Sequence, residues 1–303
     1  MYYILYGFLY LMSLLPMRIL YILSDSIYVL LFHLIGYRKK VVLDNLRHAF
    51  PEKTEKERIR IGKDFYLNFI DNFIETLKVL SANEDFLKKH FVIENPELFD
   101  HFFSQNRKCQ VVMGHNFNWE VANATMPLRV PYKFLVVYMP VTNKSIDRLF
   151  LKIRSRTGTQ LLPATSLSRA IIPYRKDKYL LALVADQAPV NLEKSYWANF
   201  LNRPTPFIQA PEKGAMVGDI PVIFAMMHKE KRGYYRSRIS LLSDHSAQRH
   251  EGEITLAYIR ILEQSIRENP SMWLWSHRRW KHAWNEKYRQ NWIDDQPPIA
   301  TTF

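Results

Sequence analysis

The hydrophobic pattern divides the chain into an apolar N-terminal segment and a longer region of alternating strand and helix patterns. Residues 1–17 carry no charge, and a second apolar stretch covers residues 19–35. Each stretch is at the short end of the roughly 20 residues that a bilayer-spanning helix needs. Pro16, Arg18 and Asp25 interrupt the region. One tilted span and an interfacial helical hairpin both fit this pattern, and a buried hairpin in a soluble protein is the alternative.

The residues that flank this segment indicate whether it is cleaved and which side of a membrane it faces. Its first basic residue is Arg18 and no small-residue cleavage site follows, so a cleaved secretory signal is not expected. The basic cluster Arg38, Lys39 and Lys40 suits the cytoplasmic side of a membrane. We therefore expect residues 1–37 to form a membrane-anchoring helical segment that is retained.

The rest of the chain predicts an α/β domain over residues 38–303. A capping box at Thr54 to Glu57 opens a long amphipathic helix that reaches about Leu80. Short apolar runs of strand type then alternate with segments of helical spacing, and a last amphipathic helix begins near Glu253. The runs are 109–113, 134–139, 179–185 and 220–227, and the helical segments are 145–156, 166–176, 211–217 and 253–269.

This alternation predicts a central, mostly parallel sheet flanked by helices. We expect residues 38–100 to be helical and residues 101–303 to form the α/β core.

Composition and charge narrow the class of partner. The single cysteine, Cys109, cannot form an internal disulfide, which fits a chain that faces the cytoplasm. The formal net charge of +13 attracts anionic partners. Nucleic acid, anionic lipid and an acidic carrier protein all meet that condition.

The strongest candidate chemistry is the pair His115 and Glu120. His115 follows a buried strand pattern and Gly114, and Glu120 opens the next helical stretch. Ligand sites in open α/β sheets lie where strands end and helices begin. Across a tight turn a carboxylate can hydrogen-bond one imidazole nitrogen and leave the other as a proton acceptor. That is the arrangement needed to deprotonate a hydroxyl for attack on an acyl thioester, but an H-x4-E spacing taken alone is a weak signal.

Five further residues are candidate binding groups. Arg154 and Arg156 could hold a phosphate or stabilise an oxyanion, or they could simply end a solvated helix. Asp186 follows an apolar strand and could position a basic group or the acceptor, or cap a loop. Arg278 and Arg279 lie in a Trp-rich stretch and could bind sugar phosphates or anionic headgroups, with an exposed basic segment as the alternative.

Two other kinds of chemistry are not expected. Ten scattered histidines, one cysteine and no H-E-x-x-H spacing argue against a zinc site. No G-x-S-x-G elbow is present, so an acyl-enzyme intermediate on serine is not expected. We expect direct transfer that needs no metal and no cofactor.

The ordered set of motifs resembles the lysophospholipid acyltransferase superfamily. Within it, the chain is similar to the bacterial lipid A biosynthesis acyltransferases that add secondary lauroyl or myristoyl chains. The resemblance covers nearly the whole chain and includes the H-x4-[DE] motif at His115 and Glu120. The other matching elements are Asn45 to Pro51, Arg154 to Gly158, Asp186-Gln187 and Trp273 to Lys281.

The resemblance implies that His115 is the general base and Glu120 its partner. It also implies an acyl carrier protein thioester as donor, an acidic partner that would match the positive charge, and a hydroxyl of a lipid A precursor as acceptor. The expected location is the cytoplasmic face of the bacterial inner membrane, with no nucleic acid partner.

Two alternatives stay open. The segment after Asp186-Gln187 departs from the family pattern, so a lysophospholipid or aminolipid acceptor is also compatible with the motifs. The alternative of another class is a non-catalytic, basic membrane-surface or nucleic-acid-binding protein, for which His115 would be dispensable.

Overall fold

The computed structural model describes residues 2–300. Within this range a seven-stranded sheet is flanked by helices, and two further strands form a separate antiparallel pair. The helices are α1 (Tyr2–Ser13), α2 (Met17–Val29), α3 (Lys39–Ala49), α4 (Glu55–Val79), α5 (Glu84–His90), α6 (Glu97–Ser104), α7 (Trp119–Thr125), α8 (Lys144–Arg154), α9 (Leu167–Ala170), α10 (Ala210–Gly218) and α11 (Glu253–Glu268). The strands are β1 (Phe91–Ile93), β2 (Cys109–Met113), β3 (Lys133–Tyr138), β4 (Gln160–Pro163), β5 (Tyr179–Val184), β6 (Ser195–Phe200), β7 (Arg203–Ile208), β8 (Val222–Lys231) and β9 (Tyr234–Ser243).

The large sheet is mostly parallel, as the sequence predicts. Its strand order is β1-β9-β8-β2-β5-β3-β4, and only the β8–β9 pair runs antiparallel. The central strand β2 is almost entirely buried between helices on both faces, which explains its continuous apolar sequence. The predicted fold class is therefore confirmed.

The predicted strands and helices lie where expected, with two differences. Segment 166–176 was expected to be one helix, but only the four residues of α9 are α-helical, followed by a 3₁₀ turn at Ile172–Tyr174. Pro173 has no backbone N–H and cannot continue an α-helix, so the last turns tighten instead. The region 38–100, expected to be helical, also contributes the edge strand β1.

Two helices and a π-helical turn form the N-terminal segment. α1 and α2 are joined by a short turn, and α2 continues into a π-helix at Leu30–Ile35. In residues 2–300, the stretch Met17–Ile35 meets the length and hydropathy of a membrane span. Both α1 and α2 pack on the long helix α4.

The register of β2 against β5 positions the site. The two strands are parallel neighbours, and Met113 lies opposite Val184 at their carboxyl ends. Continuing both strands by two residues places His115 opposite Asp186. The strand ends thus bring together two side chains that are 71 positions apart in sequence.

Helix α4 begins with the predicted capping box. The Thr54 hydroxyl accepts from the Glu57 backbone N–H at 3.3 Å, and the Glu57 carboxylate accepts from the Thr54 N–H at 2.7 Å. These bonds satisfy two backbone donors that the first turn would otherwise leave free.

We predict that Thr54→Ala lowers the free energy of unfolding by about 1 kcal/mol, because it removes the side chain that caps α4. Glu57→Gln is the matched control, since glutamine can form the same reciprocal bond. Urea unfolding in a constant detergent background measures both variants. Equal stability of Thr54→Ala and the parent protein would contradict this account of the helix start.

Candidate active site

His115 and Asp186 form the centre of the site. Nδ1 of the imidazole lies 2.5 Å from Oδ1 of Asp186, and the His115 backbone N–H donates to Oδ2 at 2.8 Å. The indole N–H of Trp273 donates to the same Oδ2 at 2.6 Å. Asp186 is buried, so its carboxylate is held by three donors from two segments of the chain.

These contacts fix the charge of Asp186. Burial alone would raise the pKa of the carboxyl, but attraction to His115 and the hydrogen bonds from His115 and Trp273 outweigh it and lower the pKa to about 2. The carboxylate is therefore ionised at neutral pH. An ionised partner on Nδ1 keeps a proton there and leaves Nε2 of His115 as the acceptor.

Gly114 permits this close packing. A β-carbon at this position would lie 2.6 Å from a methyl carbon of Leu262, 2.8 Å from Oδ1 of Asn116 and 3.2 Å from Oδ2 of Asp186. Any side chain would push Asp186 or Leu262 away. The glycine before the histidine is thus required mainly by the approach of Leu262 and Asn116, and Asp186 adds a third tight contact.

Glu120 has a different partner from the one that the sequence suggests. It lies buried in the first turn of α7, and its carboxylate faces Arg154 at the end of α8. Nε of Arg154 is 3.0 Å from both carboxylate oxygens, and Nη2 is 2.5 Å from Oε1. The Trp119 indole N–H adds a weaker contact at 3.2 Å.

The expected hydrogen bond between Glu120 and His115 is therefore replaced by another pairing. Among residues 2–300, the imidazole of His115 has hydrogen-bond contacts with Asp186 and Gln187. The cause is topological: α7 turns the Glu120 side chain towards the end of α8, while the register of the strands brings Asp186 to the imidazole.

Among the four candidate arginines, Arg154 is the one that contacts Glu120. Burial would lower the pKa of its guanidinium, but the hydrogen bonds and charge of Glu120 outweigh burial and raise it. Arg154 is partly exposed and stays fully charged. Arg156, two residues later, instead donates to the backbone carbonyl of Val79 at 2.8 Å, and so ties α8 to the end of α4.

The two arginines of the Trp-rich stretch lie in opposite environments. Arg278 is exposed, whereas Arg279 is fully buried and donates to the carbonyl of Pro206 at 2.7 Å. The Arg279 guanidinium lies 4.4 Å from the ring centre of Phe207. Burial lowers the pKa of Arg279 to about 10. Arg279 thus supports the β6–β7 pair from inside and presents no surface to solvent.

Two residues of the site were not identified from sequence. The Gln187 side-chain amide lies 3.2 Å from Nε2 of His115, on the exposed side of the imidazole. Nε2 of His277 accepts from the backbone N–H of Ala188 at 3.2 Å. Burial, helped by the charge of Arg279, lowers the pKa of His277 to about 4, so this acceptor is neutral at pH 7. Both residues lie in motifs that were noted, but nothing in their spacing indicates these contacts.

Comparisons with known proteins agree on one family. A family model described as bacterial lipid A biosynthesis acyltransferase matches residues 1–282. The lipid A biosynthesis palmitoleoyltransferase of Escherichia coli (strain K12) is 21% identical over 281 residues, which cover 91% of this chain and 89% of that protein. The lipid A biosynthesis acyltransferase of Shigella flexneri matches with the same identity and coverage.

The matched region contains all the residues of the site, from His115 to His277. The family implies an enzyme that acylates a lipid acceptor during lipid A synthesis. From the motifs, the fold and this match, the chain belongs to the bacterial lipid A biosynthesis acyltransferases.

Proposed function

We propose that the protein moves a fatty acyl chain from an acyl carrier protein thioester to a hydroxyl of a lipid A precursor, with His115 as general base. The observation that carries the proposal is the imidazole of His115, held at Nδ1 by an ionised carboxylate, with Nε2 on its exposed side beside the Gln187 amide. That arrangement suits a base for a hydroxyl.

This geometry supports the following reaction. As the acceptor oxygen attacks the thioester carbonyl carbon, Nε2 of His115 takes the hydroxyl proton. The resulting imidazolium lies against the Asp186 carboxylate, which stabilises its charge. When the tetrahedral intermediate collapses, the carbon–sulfur bond breaks and the imidazolium returns the proton to the thiolate. No atom remains on the enzyme.

Glu120 acts in this scheme through Arg154. Their bidentate contact fixes the guanidinium plane and uses its Nε and Nη2 groups. Within the part of the chain that the structure describes, Nη1 of Arg154 has no hydrogen-bond partner. We propose that this group receives the developing oxyanion or a phosphate of the acceptor. Glu120 is then a positioning residue, and Asp186 is the partner of the base.

Gln187 occupies the position that the acceptor hydroxyl must take. Its amide donates to Nε2 in the unliganded protein, so the acceptor has to displace it. The contact of Ala188 with His277 holds the loop that carries Gln187. A neutral His277 is needed for that contact, because a protonated imidazole has no free acceptor nitrogen.

The net charge and the apolar N-terminal segment support the proposed partner and the proposed location. The formal net charge of +13 suits both an acidic carrier protein and an anionic membrane. We propose that the enzyme works at the cytoplasmic face of the bacterial inner membrane, attached through residues 1–37. The rival acceptors are lysophospholipids and aminolipids, and Arg278 is a candidate for binding an acidic headgroup at the surface.

The first prediction concerns transfer itself. Radiolabelled acyl groups on acyl carrier protein should pass to a lipid in a membrane extract, and the mass of the product identifies the acceptor. His115→Ala should reduce the rate at least about 100-fold, because a positioned base contributes that much or more. His250→Ala, which changes an exposed histidine, is the matched control. Full activity of His115→Ala would rule out His115 as the base, and absence of transfer by the parent protein would favour the non-catalytic basic protein.

A second prediction separates the two carboxylates. Asp186→Asn should lower kcat and move the acidic limb of the pH–rate profile to lower pH, because the imidazolium loses its charged partner. Glu120→Gln should lower kcat without moving that limb, since Glu120 contacts Arg154. Arg154→Lys and Glu120→Gln should not be additive. A shifted limb in Glu120→Gln alone would restore the direct pairing of Glu120 with His115.

A third prediction concerns pH and stability. The pKa of His277 is about 4 when folded against an ordinary value of 6.5, so the unfolded chain binds this proton first. Its contribution to stability is complete above pH 6.5 and is lost as the pH falls towards 4. His277→Gln keeps an acceptor for Ala188 but does not titrate. The fall in Tm between pH 7.5 and 5.0 should therefore be smaller in the variant, and an equal fall would contradict the assignment.

A further inference from the structure

Exposed apolar side chains are concentrated in the N-terminal helices. Thirteen of the 21 large hydrophobic side chains that are exposed in residues 2–300 lie within residues 3–37. Ile4 is 81% exposed, Leu34 76%, Ile22 66% and Leu11 66%. An apolar surface of this density is normally covered by a partner or a membrane. The remaining exposed apolar residues are scattered over the domain.

The opposite face of α2 is bound to the domain by polar contacts. The Tyr21 hydroxyl donates to Glu75 at 2.8 Å, and the Ser24 hydroxyl donates to Asp71 at 2.7 Å. Arg232, in the β8–β9 turn, bridges Asp71 and Asp25 at 2.7 Å each. Asp71 and Glu75 are buried, so α2 supplies donors that these carboxylates need.

The turn between α1 and α2 is held as well. The Lys78 ammonium donates to the carbonyls of Ser13 and Leu15 at 2.8 and 3.1 Å, and the Ser81 hydroxyl donates to Ser13 at 2.7 Å. Past the other end of α2, the Tyr66 hydroxyl donates to the carbonyl of Tyr37. The segment is thus attached to α4 from one end to the other.

These attachments conflict with a bilayer crossing. The stretch Met17–Ile35 would span about 28 Å, and α4 would accompany it through the hydrocarbon. Lys63 and Asp64 are exposed on α4, and Asp25 is exposed on α2. Burial, with a smaller contribution from the Asp64 carboxylate, raises the pKa of the Tyr28 hydroxyl, so this charge lies near enough to the stretch to act on it. Charges at that depth are strongly disfavoured.

We propose that α1, α2 and the π-helical turn lie flat in one leaflet of an anionic membrane and do not cross it. Their outer apolar face enters the boundary between headgroups and acyl chains, while the inner face stays on the domain. Arg18, Arg38 and Lys40 are exposed at the ends of this surface and can contact anionic headgroups. This inference does not depend on the proposed transfer chemistry.

The arrangement links the membrane surface to the site. Glu75, which accepts from Tyr21 of α2, also accepts from Asn118 and Tyr235 at 2.7 Å each. Asn118 caps α7, the helix that carries Glu120. Only one carboxylate therefore separates the helix in the leaflet from the turn that follows His115. An acceptor with its acyl chains in the same leaflet need not leave the membrane to reach that turn.

Labelling with a membrane-impermeant maleimide tests the topology. Cys109 is buried and serves as the unreactive background in the folded protein. Arg18→Cys and Glu52→Cys place thiols at exposed positions on either side of the stretch. Both should label from inside-out vesicles and neither from intact spheroplasts. Labelling of Arg18→Cys from the outside of spheroplasts would overturn the proposal, because it would mean that the stretch crosses the bilayer.

Vesicle flotation tests the surface. The pair Ile22→Gln and Leu34→Gln should weaken binding to phosphatidylglycerol vesicles at least about tenfold. Val190→Gln with Val217→Gln, which changes exposed valines outside the segment, should leave binding unchanged. The parent protein should bind phosphatidylcholine vesicles less tightly. Unchanged vesicle binding, with a loss of dimer in the Ile22 and Leu34 variant, would instead show that a second copy covers the surface.

Discussion

The site depends on the register of two neighbouring parallel strands. Met113 lies opposite Val184 at the ends of β2 and β5. The second residue after Met113 is His115 and the second after Val184 is Asp186, so these two lie side by side. A shift by one residue would turn Asp186 to the other face of the sheet. The buried apolar sequences of both strands specify that register, so the core of the domain also sets the position of His115 relative to Asp186. Stability and chemistry thus share one constraint.

Buried carboxylates connect the remaining parts to this centre. Glu120 joins α7 to α8 through Arg154, and Glu212 accepts from two backbone N–H groups at the start of α11. Glu75 and Asp71 join α4 to α2. Each carboxylate would be costly to bury alone, so each requires its donors to stay in place. The polar contacts in the interior therefore attach several helices to the rest of the domain, and α2 is among them.

The sequence predicts the parts of the fold that depend on local patterns. The capping box at Thr54, the strand before Gly114 and the alternation of strands and helices are all present. It does not predict β7, because Pro204 and Pro206 lie within that strand and prolines normally exclude a segment from a sheet. This strand tolerates them because its only strand partner among the described residues is β6.

The partner of the base shows why the candidate site was predicted only in part. His115 is identified by its place after a strand, which is a local feature. Its partner depends on a contact over 71 positions, and no spacing along the chain reveals that contact. Glu120 was predicted to pair with His115 because the two are near in sequence, but the direction of α7 turns the Glu120 carboxylate towards Arg154, with which it forms an ion pair. Arg279 was expected at a surface because it is charged, and its burial depends on the packing of β6 and β7 around it.

The formal net charge of +13 fits the proposed position of the N-terminal helices against an anionic membrane. If α1 and α2 lie in one leaflet as we propose, their attachment along α4 orients the domain towards that leaflet. In the proposed reaction the lipid acceptor approaches from the membrane and the acidic carrier protein from water. The proposed transfer has to bring a water-soluble donor and a lipid together at a boundary, and the Glu75 contacts link α2, the helix proposed to lie at that boundary, to the turn after His115.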